Sequence, residues 1–127
     1  MSAFSVSRTT RTREPNLPYE KIKNDIVGNR YVVSLVFVGS TRARALNFAY
    51  RQKSYVPNVL SFPIDKHTGE IYITPSVAKR EAHKYDLSPR GYIGYLFIHA
   101  LLHLKGHDHS VTMEQAEARY MKSYRLS

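Results

Sequence analysis

The segment Tyr92–Leu104 constrains the fold of this chain most strongly, because its residues are apolar on nearly every face. A helix of that kind has to be covered by other elements on all sides, so we expect it at the centre of the molecule. Ser88 and Pro89 provide an N-cap residue followed by proline at the first helical position, and Gly106 provides a stop. The pattern predicts a buried helix over Pro89–Lys105.

Two histidines interrupt this apolar helix, and a third follows its end. His99 and His103 are four residues apart, so their imidazoles project from one face and can share an ion. His109 comes three residues after the glycine stop, where the chain can return toward the same ion. Three nitrogen ligands suit one zinc ion per chain, at about 2.0–2.1 Å, and leave a fourth position for water. The spacing therefore predicts an open, catalytic type of zinc site.

Two neighbouring residues leave alternatives open at this site. His107 offers a fourth nitrogen, which would close the site and make it structural. Asp108 is placed to accept a hydrogen bond from a ligand histidine, or else it is a solvated turn residue. Nitrogen ligands also suit nickel and copper, so zinc is a preference among metals.

The rest of the chain predicts short strands mixed with helices, which indicates an α+β fold: a small mixed β-sheet covered by helices. The metal site would lie on the buried helix and its return loop. We expect a first strand around Phe4 and Val6, a polar turn over Arg8–Pro18, a helix over Tyr19–Gly28 with the glycine in the left-handed conformation, a strand over Tyr31–Val38, a helix from a Ser40 cap to Lys53, hairpin strands over Val59–Ile64 and Glu70–Thr74, a Thr74-capped helix over Pro75–Lys84, and a last helix capped by Thr112.

Composition limits the architecture and the partners. The 127 residues, 43% of them apolar, suffice for one domain spanning 1–127. Nineteen Lys and Arg against ten Asp and Glu favour a polyanionic partner, with nucleic acid ahead of a merely soluble basic surface. The absence of cysteine excludes disulfides, iron–sulfur clusters and thiolate metal sites. We find no signal peptide or membrane span and expect a cytoplasmic protein.

The histidine block resembles the signature H-G-x-L-H-L-x-G-Y-D-H of the YbeY family, which comprises metal-dependent endoribonucleases and rRNA maturation factors. In this chain it reads H-A-L-L-H-L-K-G-H-D-H over residues 99–109, and Leu46–Lys53, Pro57–Pro63 and Gly69–Ile71 are similar to further blocks of the family. The resemblance implies that the three histidines bind zinc and that Arg51 is a functional, catalytic residue. It also implies RNA as substrate, in maturation of the small-subunit rRNA 3′ end and in ribosome quality control.

The helix before the hairpin adds candidate substrate contacts. Arg44, Asn47 and Arg51 stand at i, i+3 and i+7, so one face presents two guanidinium groups and an amide to a phosphate. We expect Arg44, Asn47 and Lys53 to bind substrate, although a solvated basic face is the alternative for Arg44.

Two other functions are compatible with the same residues. One is a non-catalytic RNA-binding ribosome assembly factor with a structural metal. The other is a metallohydrolase of small or peptide substrates, which would need a carboxylate such as Asp108 or Glu114 beside the metal. Ala100 stands where helical zinc proteases carry a glutamate directly after the first histidine, which does not favour peptide hydrolysis by that route.

Overall fold

A computed structural model of the chain describes residues 3–107 and 110–127. Within these residues, four strands and five α-helices form, together with one turn of 3₁₀-helix. In chain order they are β1 (Phe4–Arg8), α1 (Tyr19–Val27), β2 (Val32–Phe37), α2 (Ser40–Arg51), β3 (Val59–Asp65), β4 (Thr68–Ile73), α3 (Pro75–Glu81), the 3₁₀ turn (Ala82–Tyr85), α4 (Pro89–Leu104) and α5 (Val111–Ser123).

The four strands form one mixed sheet in the order β1-β2-β4-β3. β1 and β2 are parallel, as are β2 and β4, whereas β3 runs antiparallel to β4 as the predicted hairpin. β3 is therefore an edge strand, where Pro63 is tolerated next to an irregularity in the register. The predicted α+β fold with a small mixed sheet covered by helices is confirmed.

One face of the sheet packs against α4, which is buried along most of its length as predicted. Val33, Leu35 and Ile71 point into this core because alternate residues of a strand share a face. At the C-terminal end of α4, Leu104 lies directly on Gly69 of β4: a Cβ atom at Gly69 would stand 2.7 Å from Leu104 Cδ1. The absence of a side chain at Gly69 thus lets the histidine-bearing end of α4 sit close to the sheet.

α5 packs beside α4 and makes a hydrogen bond near each of its ends. Ser110 caps its N-terminus by accepting a hydrogen bond from the backbone N–H of Met113 at 3.2 Å. Near its C-terminus the Tyr124 hydroxyl donates to Asp25 of α1. This hydrogen bond, together with Lys21, holds the pKa of the Asp25 carboxyl below its usual range. Helix α5 is therefore fixed relative to the two helices that it contacts.

Several local predictions were wrong in detail. Ser40 is the first helical residue, and Gly39 takes the N-cap position of α2. Thr74 occupies the N-cap position of α3 without a side-chain hydrogen bond, whereas the Ser88 cap is confirmed by its bond from the Gly91 N–H at 3.0 Å. The residue that caps α5 is Ser110, two positions before the predicted Thr112.

Gly28 ends α1 as expected, but not in the left-handed helical conformation. Its φ of 93° is positive while its ψ of 164° is extended. Glycine alone adopts that region readily, because a Cβ atom would clash there. The chain therefore leaves α1 through an extended Gly28 and reaches β2 four residues later, at Val32, without a left-handed helical cap. Among the described helices, none is long and apolar enough to cross a membrane.

Candidate active site

His99 and His103 lie on one face of α4 with their rings close together. Their Nε2 atoms are 3.1 Å apart, and the two rings are nearly perpendicular, at 85°. Two ligands about 2.0–2.1 Å from one ion at a tetrahedral angle would be separated by about 3.3 Å. The distance between these two nitrogens is therefore close to that of a pair sharing an ion.

The other nitrogen of each ring contacts an acceptor. His99 Nδ1 lies 2.5 Å from Oε2 of Glu117 on α5, and His103 Nδ1 lies 3.1 Å from the backbone carbonyl oxygen of His107. An acceptor at Nδ1 favours the tautomer in which Nδ1 carries the proton and Nε2 presents a lone pair. Both rings are thus oriented with Nε2 toward the other imidazole, and Nε2 is the atom that would coordinate the predicted metal.

These contacts are compatible with a cation between the two rings. Two lone pairs 3.1 Å apart repel each other unless a cation, either a proton or a metal, lies between them. Within residues 3–107 and 110–127, no three His, Asp or Glu side chains converge on one point. The predicted third ligand, His109, and the predicted hydrogen-bond acceptor, Asp108, lie outside the described residues. The described pair fits as two of the three predicted ligands.

Arg51 lines the same cleft as the two histidines. The cleft, of about 520 Å³, runs along the edge strand β3 between α4 and the segment after α2. Its walls also include Tyr55, Asn58 and Ser61, and the Ser61 hydroxyl donates to the carbonyl of Ala100 on α4 at 3.3 Å. The structure therefore brings together Arg51 and two of the predicted ligands, which come from segments about 50 residues apart.

Asn47 holds the Arg51 side chain through a hydrogen bond within α2. Its side chain is fully buried, its amide donates to the carbonyl of Tyr55 at 3.0 Å, and its side-chain oxygen accepts from Arg51 Nη1 at 3.3 Å. Asn47 was predicted to contact substrate from its position on the helix, whereas the structure places its side chain inside the protein. Its two hydrogen bonds connect the Arg51 side chain to the loop containing Tyr55, which forms one wall of the cleft.

The other two predicted substrate contacts are exposed. Arg44 lines a separate shallow depression with Phe48 and Ser54 and is not among the residues that line the cleft. Lys53 follows the end of α2, with its backbone N–H 3.4 Å from the carbonyl of Asn47. Both extend the positive surface of this region without facing the two histidines.

Glu117 is the functional candidate that the sequence analysis missed. It is buried, with a side chain only 8% exposed, and besides His99 it contacts the hydroxyl of Tyr95. Burial and the nearby Glu117 charge raise the pKa of Tyr95, so its phenol stays protonated as a donor. One signal was available: Glu117 follows Met113 by four residues, which puts a carboxylate on the apolar face of α5.

Replacement of Glu117 by glutamine is expected to weaken zinc binding by about 10- to 100-fold, as for other hydrogen-bond partners of metal-ligating histidines. The amide keeps the size of the side chain but removes the charge that holds the His99 Nδ1 proton. Competition with a chromophoric chelator measures the dissociation constant. Glu20→Gln, at an exposed position of α1 away from the two histidines, is the control with the same chemical change and should bind as the wild type does. Equal affinity in both variants would contradict this role for Glu117.

The α+β domain thus brings a histidine pair and an arginine to one cleft, where imidazole nitrogens can bind a metal ion and a guanidinium can bind a phosphate. The family model described as Endoribonuclease YbeY matches residues 7–125. The chain belongs to this family.

Several proteins named Endoribonuclease YbeY are similar to the chain. The protein from Mesoplasma florum is 35% identical over 113 residues, which are 80% of this chain and 64% of that protein. The protein from Neisseria meningitidis serogroup B is 33% identical over 121 residues, which are 83% of this chain and 70% of that protein. The chain covers 54% of the relative from Mycoplasma capricolum, so it spans less than two thirds of several relatives that it matches.

A solved structure shows the same fold. The solution structure of TM1509 from Thermotoga maritima superposes with a TM-score of 0.69, covering 95% of this chain and 88% of that one, at 21% sequence identity. At that identity the likeness supports the arrangement of strands and helices alone.

Proposed function

We propose that the chain is a zinc-dependent endoribonuclease that cleaves single-stranded RNA. Its proposed role is in rRNA processing, at the 3′ end of the small-subunit rRNA, and in ribosome quality control, with the ribosome or its small subunit as partner in the cytoplasm. One observation carries the catalytic part of this proposal: Arg51 lines the same cleft as His99 and His103, whose Nε2 atoms are 3.1 Å apart.

The residues divide the work by their chemistry. His99 and His103 would hold the zinc together with His109. A zinc ion there supplies Lewis-acid polarisation of a phosphoryl oxygen and lowers the pKa of water toward about 7. Arg51 can donate two parallel hydrogen bonds to the oxygens of a phosphate and offset the negative charge that grows on them. Its Nη1 bond to Asn47 fixes the direction from which the guanidinium approaches.

The charge of the surroundings supports RNA as the ligand. α2 carries Arg42, Arg44 and Arg51 and has no acidic residue, and the chain as a whole has a formal charge of +9. A phosphate backbone bound there displaces counterions, so binding should weaken steeply with salt. Arg44 and Lys53, which do not line the cleft, would then contact phosphates on either side of the one being cleaved.

The alternative hydrolase needs a carboxylate close to the metal. No aspartate or glutamate is among the described residues that line the cleft, and Glu114 lines a second depression on the α5 side of His99. Glu117 is engaged behind His99 and does not face the cleft. This arrangement supports a reaction whose charge is balanced by arginine and metal, as phosphodiester cleavage requires.

The experiment that tests the proposal uses the full chain and a labelled 30-nucleotide RNA without internal pairing. We expect zinc-loaded protein to cut it internally, to cut the same RNA annealed to its complement at least about tenfold more slowly, and to stop after chelation until zinc is restored. Denaturing gels follow the fragments. If the RNA is bound but never cut, the non-catalytic assembly factor is the better description; if it is neither bound nor cut, the proposal is wrong.

A further inference from the structure

An aromatic groove lies on the face of the sheet opposite to α4. Because side chains alternate along a strand, Phe62 of β3 and Tyr72 of β4 point away from the core that contains Ile71 and Ile73. Helix α2 crosses this face and contributes Tyr50, whose ring centroid is 5.1 Å from that of Phe62; Phe62 and Tyr72 are 5.9 Å apart. Between helix and sheet a groove of about 240 Å³ stays open, lined also by Leu46, Ile64 and Glu70.

The groove adjoins the cleft of the histidines at the edge of the sheet. Pro63 lines both, and Tyr50 and Arg51 are neighbours at the end of α2, one facing the groove and the other the cleft. Tyr50 is 70% exposed although its ring contacts Phe62, so one side of the three-ring cluster remains open to solvent. An exposed aromatic surface beside a polar cleft is characteristic of a binding site.

The charges around the groove would direct the phosphate and the base of a nucleotide to different places. Burial and the adjacent Glu70 carboxylate, which accepts a bond from the Tyr72 hydroxyl at 3.2 Å, raise the pKa of Tyr72, and the positive charge of Arg42 partly opposes them. Arg42 thus stands near the rings on the side of α2. A phosphate would be repelled by Glu70 and attracted by the arginines of α2, whereas an uncharged planar ring can stack on Tyr50 or Phe62.

We propose that this groove binds one unstacked nucleobase of a single-stranded RNA whose neighbouring phosphate is held at Arg51. Its volume lies below the about 300–1,000 Å³ of sites for larger ligands, which suits one planar ring system. The inference rests on the proposed function, because it takes RNA as the ligand of the adjoining cleft. It adds a site that selects single strands, since the bases of a duplex are stacked on each other and cannot enter.

The test measures binding of fluorescein-labelled octauridylate by anisotropy, using the full chain at 4 °C and checking on a gel that the RNA stays intact. Stacking contributes enough per base that Tyr50→Ala should bind about 5- to 100-fold more weakly. Phe62→Leu, which keeps the apolar contact and loses the ring, should show a smaller loss of the same kind. Tyr50→Phe should bind within about twofold of the wild type, because the ring is retained.

Salt dependence separates stacking from loss of charge. Tyr50→Ala should leave the slope of log Kd against log salt unchanged, whereas Arg51→Ala should reduce its magnitude by about one phosphate contact. The matched control is Tyr85→Ala, an exposed tyrosine that stacks on Tyr92 and lines neither the groove nor the cleft. It should bind octauridylate as the wild type does.

The outcomes separate this inference from the function on which it rests. Wild-type affinity in both Tyr50→Ala and Phe62→Leu, in a chain that does bind octauridylate, overturns the groove as a base site and leaves the ribonuclease proposal standing. A wild type that does not bind the RNA at all overturns both. A 5-iodouridine octamer, photo-crosslinked and mapped by peptide mass, should label Tyr50 or Phe62, and labelling confined to other residues also counts against the groove.

Discussion

Replacement of His103 by alanine is expected to remove nearly all of the one zinc ion per chain that we propose the wild type to carry. Four-ligand zinc sites bind with apparent free energies of about 10–16 kcal/mol, or about 2.5–4 kcal/mol per ligand. Loss of one nitrogen from the predicted set should therefore raise the dissociation constant by about 10²–10³-fold. Metal content per chain, measured by mass spectrometry on identically purified proteins, checks this directly.

Two further histidine variants make the measurement specific. His83 lies in the exposed 3₁₀ turn after α3 and does not line the cleft that contains His99 and His103. The His83→Ala variant should therefore keep its zinc. His107→Ala should also keep it if the site has three protein ligands and an open position. Loss of metal from His107→Ala would point to a closed, structural site, and a wild type without metal would contradict the zinc prediction.

Replacement of Arg51 by alanine is expected to lower kcat for RNA cleavage by about 10²–10³-fold while leaving zinc content unchanged. The Arg51 guanidinium faces the cleft, and no other Lys or Arg is among the described residues that line it. Without Arg51, the negative charge that develops on the phosphoryl oxygens loses the positive side chain that would stabilise it. Single-turnover cleavage of an unpaired RNA, with metal content measured on the same samples, separates loss of chemistry from loss of metal.

The control for Arg51 has to account for the general effect of charge on RNA binding. Arg80→Ala removes one positive charge from the exposed side of α3, outside the described lining of the cleft, and should change cleavage by no more than about twofold. Arg51→Lys keeps the charge but loses the two parallel donors, so it should restore only part of the rate. Equal activity in Arg51→Ala and Arg80→Ala would show that Arg51 acts only through the overall charge.

Much of the fold could be predicted because it depends on local patterns. The apolar residues of α4, its Ser88 cap and the hairpin of β3 and β4 each depend on neighbouring residues, and all three were predicted, although the hairpin turn is shorter than expected because β4 begins at Thr68. The order of the strands was not, since β2 pairs with both β1 and β4 through contacts between distant segments. Hydrophobic periodicity indicates which face of a strand is buried, but it does not indicate which other strand pairs with it.

The same distinction applies to the site. The spacing of His99 and His103 within one helix places their rings together from sequence alone, because four residues make about one turn. The contribution of Glu117 depends on how α5 packs against α4, and spacing along the chain does not report it. Asn47 was assigned to the surface because Arg44, Asn47 and Arg51 share a helical face, yet that face is partly covered by the loop carrying Tyr55.

The hydrogen bond between His99 and Glu117 also determines when the site can assemble. A chain emerging from the ribosome presents α4 before α5, and a domain generally folds as a unit. Until α5 has been synthesised and docked by its contacts with α4 and α1, His99 lacks the carboxylate that sets its tautomer and orientation. The orientation of His99 therefore depends on a helix that is made after α4, so the His99–His103 pair takes its described geometry only in a chain whose C-terminal segment is in place.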